Sequence, residues 1–284
     1  MKGQTASQTA ALTAMLRAAH QLVDDEPKIV DDPIAIALVD DTTRERIAAR
    51  PAALQSPGLM IPRAAVLLRS RYAEDLLARA VAQGVGQFVI LGAGLDTFAF
   101  RQPAFAHQIQ IYEVDHPMTQ AWKRERLAAA GVAAPENLHW APIDFEQQSL
   151  LAGLQDVGLD ASSSAFFSWL GVTQYLTLPA IEATLKVVAA LPSPSTIVLS
   201  FMLPDLDLPP EEAAAARAVA DDAARTGEPW LTRLQPCELA ARFTKLRFRE
   251  VVHLTPEEAN ARYFTGRVDG LRAPHVAQLM SATT

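Results

Sequence analysis

The residues best placed to do chemistry lie in two short runs. Gly92-Ala93-Gly94 follows the apolar run Phe88-Val89-Ile90-Leu91, and Asp96 comes two positions after the second glycine. Tyr112-Glu113-Val114 ends on Asp115, 23 positions beyond Gly92. A buried strand, a tight glycine loop, a helix and a second strand ending in an acid form the first unit of a nucleoside-binding α/β domain. The glycines let the backbone approach a ligand closely, and the acid is placed to accept hydrogen bonds from two ribose hydroxyls. A dinucleotide fingerprint carries a third glycine, because the pyrophosphate sits on the helix N-terminus. Here Thr97 occupies that place, behind Asp96. A carboxylate there repels a pyrophosphate and suits the ammonium of an amino acid. The pattern therefore fits S-adenosylmethionine (SAM), which has a ribose, a sulfonium and an ammonium but no phosphate, better than NAD. An ordinary strand-to-helix turn with a solvated Asp115 gives the same spacing, so this alternative stays open.

The surrounding elements must hold these groups at one rim. From residue 87 the pattern alternates strand and helix, with strands expected near 87–91, 109–114, 138–143, 165–169, 196–202 and 247–254. Helices are expected near 117–130, 147–154, 178–190 and 236–243, and a last strand near 275–282 is weakly signalled. Such alternation implies parallel strands with right-handed crossovers. Upstream, residues 5–23 and 62–83 carry apolar residues at helical spacing, and Asp31-Asp32-Pro33 reads as a helix start. This gives a helical N-terminal extension over 1–84 and a sheet domain over 85–284. Residues 203–234 open on Pro204, Pro209 and Pro210 and run into an alanine-rich helix. Ligands in open α/β sheets bind at the carboxyl ends of strands, so an insertion there is placed as a helical lid over a substrate.

Composition narrows the class. The chain has 284 residues, half of them apolar, and a formal charge of −7, which argues against a dedicated nucleic-acid binder. Lys123-Arg124-Glu125-Arg126 reads as a solvated helix face. The single cysteine, Cys237, excludes an internal disulfide and a cysteine-based zinc site, and the six histidines lack metal spacing. No signal-peptide core and no run of about 20 apolar residues is present, so a cytoplasmic chain with no membrane partner is expected.

Four segments together resemble a known family: "FVILGAGLDTFAFR", "YEVDHPMTQAWKRERL", "APIDFE" and "WLGVTQYL". They are similar to successive motifs of the leucine carboxyl methyltransferase-like family of SAM-dependent O-methyltransferases, in its bacterial and polyketide carboxyl methyltransferase branch. "SQTA" and "RSRY" near the N-terminus resemble it too. The resemblance spans about residues 7–265 and implies a class I SAM-methyltransferase fold, a Rossmann-like seven-stranded sheet. It implies that SAM is the cofactor and that a small-molecule carboxylate or hydroxyl accepts the methyl group, with secondary metabolism as one setting. Gly92 and Gly94 then pass beside the methionine part of SAM, and Asp115 holds the ribose, with His116 beside it. Asp144 meets the adenine amino group and Phe145 flanks the ring. Arg69 grips the SAM carboxylate with Arg17 as a second basic residue, and Tyr175 matches the family tyrosine after the fourth strand, the candidate catalytic residue. Two positions depart from the family. Leu170 stands where Glu is common, which leaves Asp96, Ser168 or a backbone carbonyl to meet the ammonium, and Phe98 stands where Arg is common.

No histidine pairs with a carboxylate at an interpretable spacing, so no general base is evident. A carboxylate acceptor, already ionised, needs none; a hydroxyl usually does. Two other readings stay open: an NAD(P)-dependent oxidoreductase, and a SAM-fold protein that binds without catalysing.

Overall fold

The computed structural model describes residues 8–49, 51–144 and 148–284. The chain opens with five helices: α1 (Gln8–Val23), α2 (Pro33–Leu38), α3 (Asp41–Ala49), α4 (Pro51–Leu54) and the long α5 (Pro57–Ala82). The alternating part follows, as β1 (Gln87–Leu91), α6 (Phe98–Arg101), β2 (Gln110–Asp115), α7 (Pro117–Ala129) and β3 (Leu138–Pro142). It continues with α8 (Leu150–Asp156), β4 (Phe166–Trp169), α9 (Leu178–Ala189) and β5 (Thr196–Met202). The remainder is α10 (Pro210–Arg225), α11 (Pro236–Lys245), β6 (Glu250–Leu254), α12 (Pro256–Ala259) and β7 (Ala277–Thr283).

The seven strands form one sheet in the order β3-β2-β1-β4-β5-β7-β6. Neighbours from β3 to β5 are parallel, with Ile90 opposite both Glu113 and Ser168. The all-parallel expectation fails at one edge. β7, the weakly signalled strand, inserts between β5 and β6 and runs antiparallel to both. Every residue of β1 and β4 is buried, as expected for strands covered on both faces. Strand order reverses between β1 and β4, and such a switch point opens a crevice at the strands' carboxyl ends.

The N-terminal helices are tied to that crevice by ion pairs rather than by apolar contact alone. Asp32 caps α2, its Oδ1 accepting from Ala35 N at 3.1 Å. Its Oδ2 accepts from Thr97 Oγ1 at 2.6 Å, in the turn after the glycine loop. Arg17 and Arg101 approach the same carboxylate at 3.6 and 3.7 Å. Asp32→Ala removes a helix cap and a buried acceptor together, and is expected to cost about 1–2 kcal/mol, read as a lower urea midpoint. Deeper, His20 Nδ1 and Arg63 Nε both lie 2.9 Å from Asp24 Oδ2, and all three side chains are buried. His20 thereby has a structural role.

One sequence expectation is overturned. Arg124 and Glu125 are solvated, but Lys123 is fully buried and donates to Glu113 Oε2 at 2.6 Å. Its ammonium lies 5.2 Å from the Phe100 ring centroid and 5.8 Å from that of Trp140. Burial pushes Glu113 up to about 7, against the pull of Lys123.

Candidate active site

A cavity of about 810 Å³ opens over the carboxyl ends of the central strands. Of the residues expected at the site, Arg17, Arg69, Gly92, Gly94, Asp96, Asp115, His116, Asp144, Ser168 and Tyr175 all line it. Phe145 lies outside the described residues.

The glycine loop is shaped by two left-handed residues, Gly92 at φ +68° and Gly94 at φ +48°. A Cβ at Gly92 would collide with the Val172 side chain, and one at Gly94 would come within 3.3 Å of Ala10 Cβ. The loop is held from beneath by the acid of the motif: Gly94 N donates to Asp115 Oδ2 at 2.5 Å and His116 N to Oδ1 at 2.7 Å. Burial raises the Asp115 carboxyl, and these two N–H groups oppose the shift. Asp115 thus sets the loop's conformation while lining the cavity. His116 caps α7, its Nδ1 accepting from Met118 N at 3.3 Å. Asp144 follows β3 in the cavity wall. A helix start near Glu146 lies outside the described residues; α8 begins at Leu150 with Ser149 as its cap.

Arg17 and Asp96 meet across 79 positions of sequence. Arg17 Nη1 donates to Asp96 Oδ2 at 3.1 Å, and Nη2 donates to Ser70 Oγ at 2.9 Å. Phe98 N donates to Asp96 Oδ1 at 2.8 Å. Burial works against the Asp96 carboxylate, but Arg17, Lys123 and Phe98 N–H together outweigh it and hold the carboxyl below its usual value. Asp96 is thus a carboxylate paired with the Arg17 guanidinium in the cavity wall.

Arg69 is different. It could have been a surface arginine paired with Glu74 or Asp75, but Glu74 pairs with Arg101 and Asp75 with Arg71. No carboxylate among the described residues lies at ion-pair distance from Arg69; the charged or titrating groups it senses are Arg17, Tyr175 and Asp96. Burial, reinforced by the like charge of Arg17, brings its pKa down to about 10, against opposing pulls from Tyr175 and Asp96. Its guanidinium lies flat against Gly171, in the turn after β4, where a Cβ would fall 2.6 Å from Arg69 Cζ. Gly171 is itself left-handed, at φ +74°. Gly171→Ala is expected to push the guanidinium aside and weaken SAM binding several-fold, measured by calorimetry.

The two departures from the family pattern have structural consequences. Leu170 packs partly into the core and adds no carboxylate to the cavity wall. Phe98 is buried edge-on against Phe88, ring centroids 5.0 Å apart, while Arg101 one turn later takes Glu74 and approaches Asp32. Trp169, at the end of β4, is wholly buried in the core. Tyr175 does line the cavity, on a turn at Thr173–Tyr175.

The other half of the cavity is lined by residues of the 203–234 segment, none of which the sequence singles out individually. α10 contributes Ala215, Ala216 and Val219, and the loop after it contributes Glu228 and Trp230. That loop is pinned to the Tyr175 turn, because Leu231 N and Thr232 N donate to Gln174 O at 2.6 and 3.2 Å. Glu228 Oε2 accepts from Thr9 N at 3.3 Å, joining the loop to α1. Among the described residues no group of side chains could hold a metal ion, and no helix is long and apolar enough to cross a membrane.

This geometry can be set against known proteins. The family model for leucine carboxyl methyltransferase matches residues 10–189, which contain the glycine loop, Asp115, Arg69 and Tyr175. The chain belongs to the leucine carboxyl methyltransferase family. Membership makes it a SAM-dependent methyltransferase. It is 30% identical to "Putative S-adenosyl-L-methionine-dependent methyltransferase YktD" of Bacillus subtilis over 96% of each chain. Its fold is similar to that of a "duf574 family protein" from Streptomyces avermitilis, with a TM-score of 0.61 and 17% identity over 95% of this chain and 96% of that one. It is also similar to that of a "putative methyltransferase" from Thermobifida fusca, with a TM-score of 0.58 and 18% identity over 100% and 96% of the two chains. The class I SAM-methyltransferase sheet expected from the sequence is the one found.

Proposed function

We propose that this protein is an O-methyltransferase that moves the methyl group of SAM to an oxygen of a small-molecule acceptor. The observation that supports the reading is Arg69, a partly buried guanidinium that lines the same cavity as the glycine loop and Asp115 and has no carboxylate among the described residues at ion-pair distance. A planar fork suits a carboxylate, pairing both oxygens, and the amino-acid end of SAM offers one. When bound, SAM supplies an electrophilic methyl carbon on a sulfonium.

The chain's part is binding, orientation and exclusion of water. Asp115 accepts from the ribose hydroxyls on the lone pairs not used by Gly94 and His116 N–H. Asp144 receives the adenine amino group. The glycines allow the backbone to lie against the methionine portion. The segment 203–234 acts as a lid, and with α5 and Tyr175 it holds the acceptor oxygen in line with the methyl carbon, the positioning from which most of the acceleration comes. An NAD(P) reading fits this wall less well, because a pyrophosphate at the loop would face the ionised Asp96.

Tritium-labelled methyl transfer from SAM to a panel of acids and hydroxyl compounds tests the proposal. Label is expected on oxygen, as an alkali-labile ester or an alkali-stable ether. Label found only on nitrogen, sulfur or carbon acceptors contradicts it.

A further inference from the structure

The acceptor half of the cavity has an uneven chemistry. Its walls are mainly apolar, with Ile61 and Val66 from α5, Met202 at the end of β5, Val219 from α10 and Val276 before β7. The arginines among the described lining residues are Arg17 and Arg69; there is no lysine, and the one histidine is His116 at the nucleoside end. Arg17 is held by Asp96 and Ser70, and Arg69 lies against Gly171, so both belong to the cofactor half. The one ionisable acid in the acceptor half is Glu228, fixed by Thr9 N–H at 3.3 Å and close enough to Tyr175 for its charge to act on the phenol. The backbone bonds from residues 231 and 232 to Gln174 O tie the loop that carries Glu228 to the turn that carries Tyr175.

A second carboxylate brought into this half meets an apolar wall, no free cation among the described residues and a like charge, each of which disfavours it. A neutral molecule bearing a hydroxyl meets a hydrogen-bond acceptor instead. We infer that the acceptor is an apolar, uncharged hydroxyl compound of the phenol type, and that Glu228 takes the proton the hydroxyl gives up. This rests on the O-methyl-transfer reading and narrows it.

The step balances without a further reactant. The hydroxyl oxygen forms the new C–O bond to the methyl carbon, and the S–CH₃ bond breaks with its electron pair left on sulfur, giving the neutral thioether of S-adenosylhomocysteine. The O–H proton passes to the Glu228 carboxylate and from there to water. Tyr175 stays protonated in this scheme and orients the acceptor. Burial raises its phenol above the usual value, Gln174, Trp230 and Thr9 oppose this, and Glu228 adds to it.

The test uses a matched pair on one ring system, 2-naphthol and 2-naphthoate. Each is titrated by calorimetry into the full-length protein saturated with S-adenosylhomocysteine, and methyl transfer from labelled SAM is followed in parallel. The naphthol is expected to bind at least about tenfold more tightly and to be methylated. Glu228→Gln keeps an oxygen for Thr9 N–H but loses the charge. It is expected to retain S-adenosylhomocysteine binding, narrow the preference for the naphthol, and methylate it at least about tenfold more slowly. The same variant is expected to spare 4-nitrophenol assayed at about pH 8.5, where that phenol is largely ionised without a base, and a merely structural role for Glu228 would not do so. Tighter binding of the naphthoate, or an unchanged naphthol rate in the variant, overturns the inference. If S-adenosylhomocysteine binds and the naphthol does not, the acceptor class alone falls. If S-adenosylhomocysteine fails to bind, the cofactor reading falls with it.

Discussion

Replacing Asp115 by alanine is expected to weaken SAM binding by about 1–3 kcal/mol, roughly 5- to 150-fold. The loss has two sources. The ribose hydroxyls lose a charged acceptor, which is worth more than a neutral one. The glycine loop also loses its fastening, because Gly94 and His116 N–H both donate to this carboxylate. Asp115→Asn separates the two. Its amide keeps one oxygen for the loop but loses the charge and one of the two N–H acceptors, so it should fold with a denaturant midpoint no lower than that of Asp115→Ala and bind SAM with intermediate affinity. Calorimetry measures the affinity, and a denaturant midpoint reports the fold. An unchanged dissociation constant for Asp115→Ala would contradict the ribose assignment.

Arg69→Ala is expected to have an effect of similar size, but selective for one part of the ligand. Removing a buried charge-assisted pair costs about 1.5–3 kcal/mol, and here the partner is the SAM carboxylate. Decarboxylated SAM has no such group, so its affinity should change little or rise, since a cation disfavoured by desolvation and by the like charge of Arg17 is removed. The sign for pH follows from the same group. Arg69 loses its proton only near pH 10, so the preference for SAM over decarboxylated SAM should hold from neutral pH up to about 9 and fall above it. Equal losses for the two ligands would argue against the carboxylate role.

How much of this was legible in the sequence follows from distance along the chain. The β1 strand, the glycine loop and Asp115 were readable because strand, turn and acid occupy one local unit whose spacing is set by backbone geometry. Arg69 and Asp144 needed the family resemblance, since an arginine on a helix and an acid before a helix each have ordinary structural explanations. The Arg17–Asp96 pair was hidden because only the packing of α1 against α5 and the loop brings it together. Lys123 was misread for a related reason. Its helix does turn Arg124 and Glu125 to solvent, but Lys123 points inward to Glu113, and a charge pattern does not show which side of a helix finds a buried partner. Glu228 and Trp230 lie in the segment expected as a lid, but they follow an alanine-rich helix and carry no motif, so nothing local singles out these two side chains. The last two strands lie near where they were expected, but the antiparallel course of β7 between β5 and β6 was not legible, because the order of strands in a sheet is not set by local alternation.

The most direct measurement of the central claim is a calorimetric titration of the purified protein with SAM, S-adenosylhomocysteine and NAD. Saturable one-to-one binding of both sulfur nucleosides, with none of NAD, is the predicted result. Binding of NAD with neither SAM nor S-adenosylhomocysteine retained would contradict it.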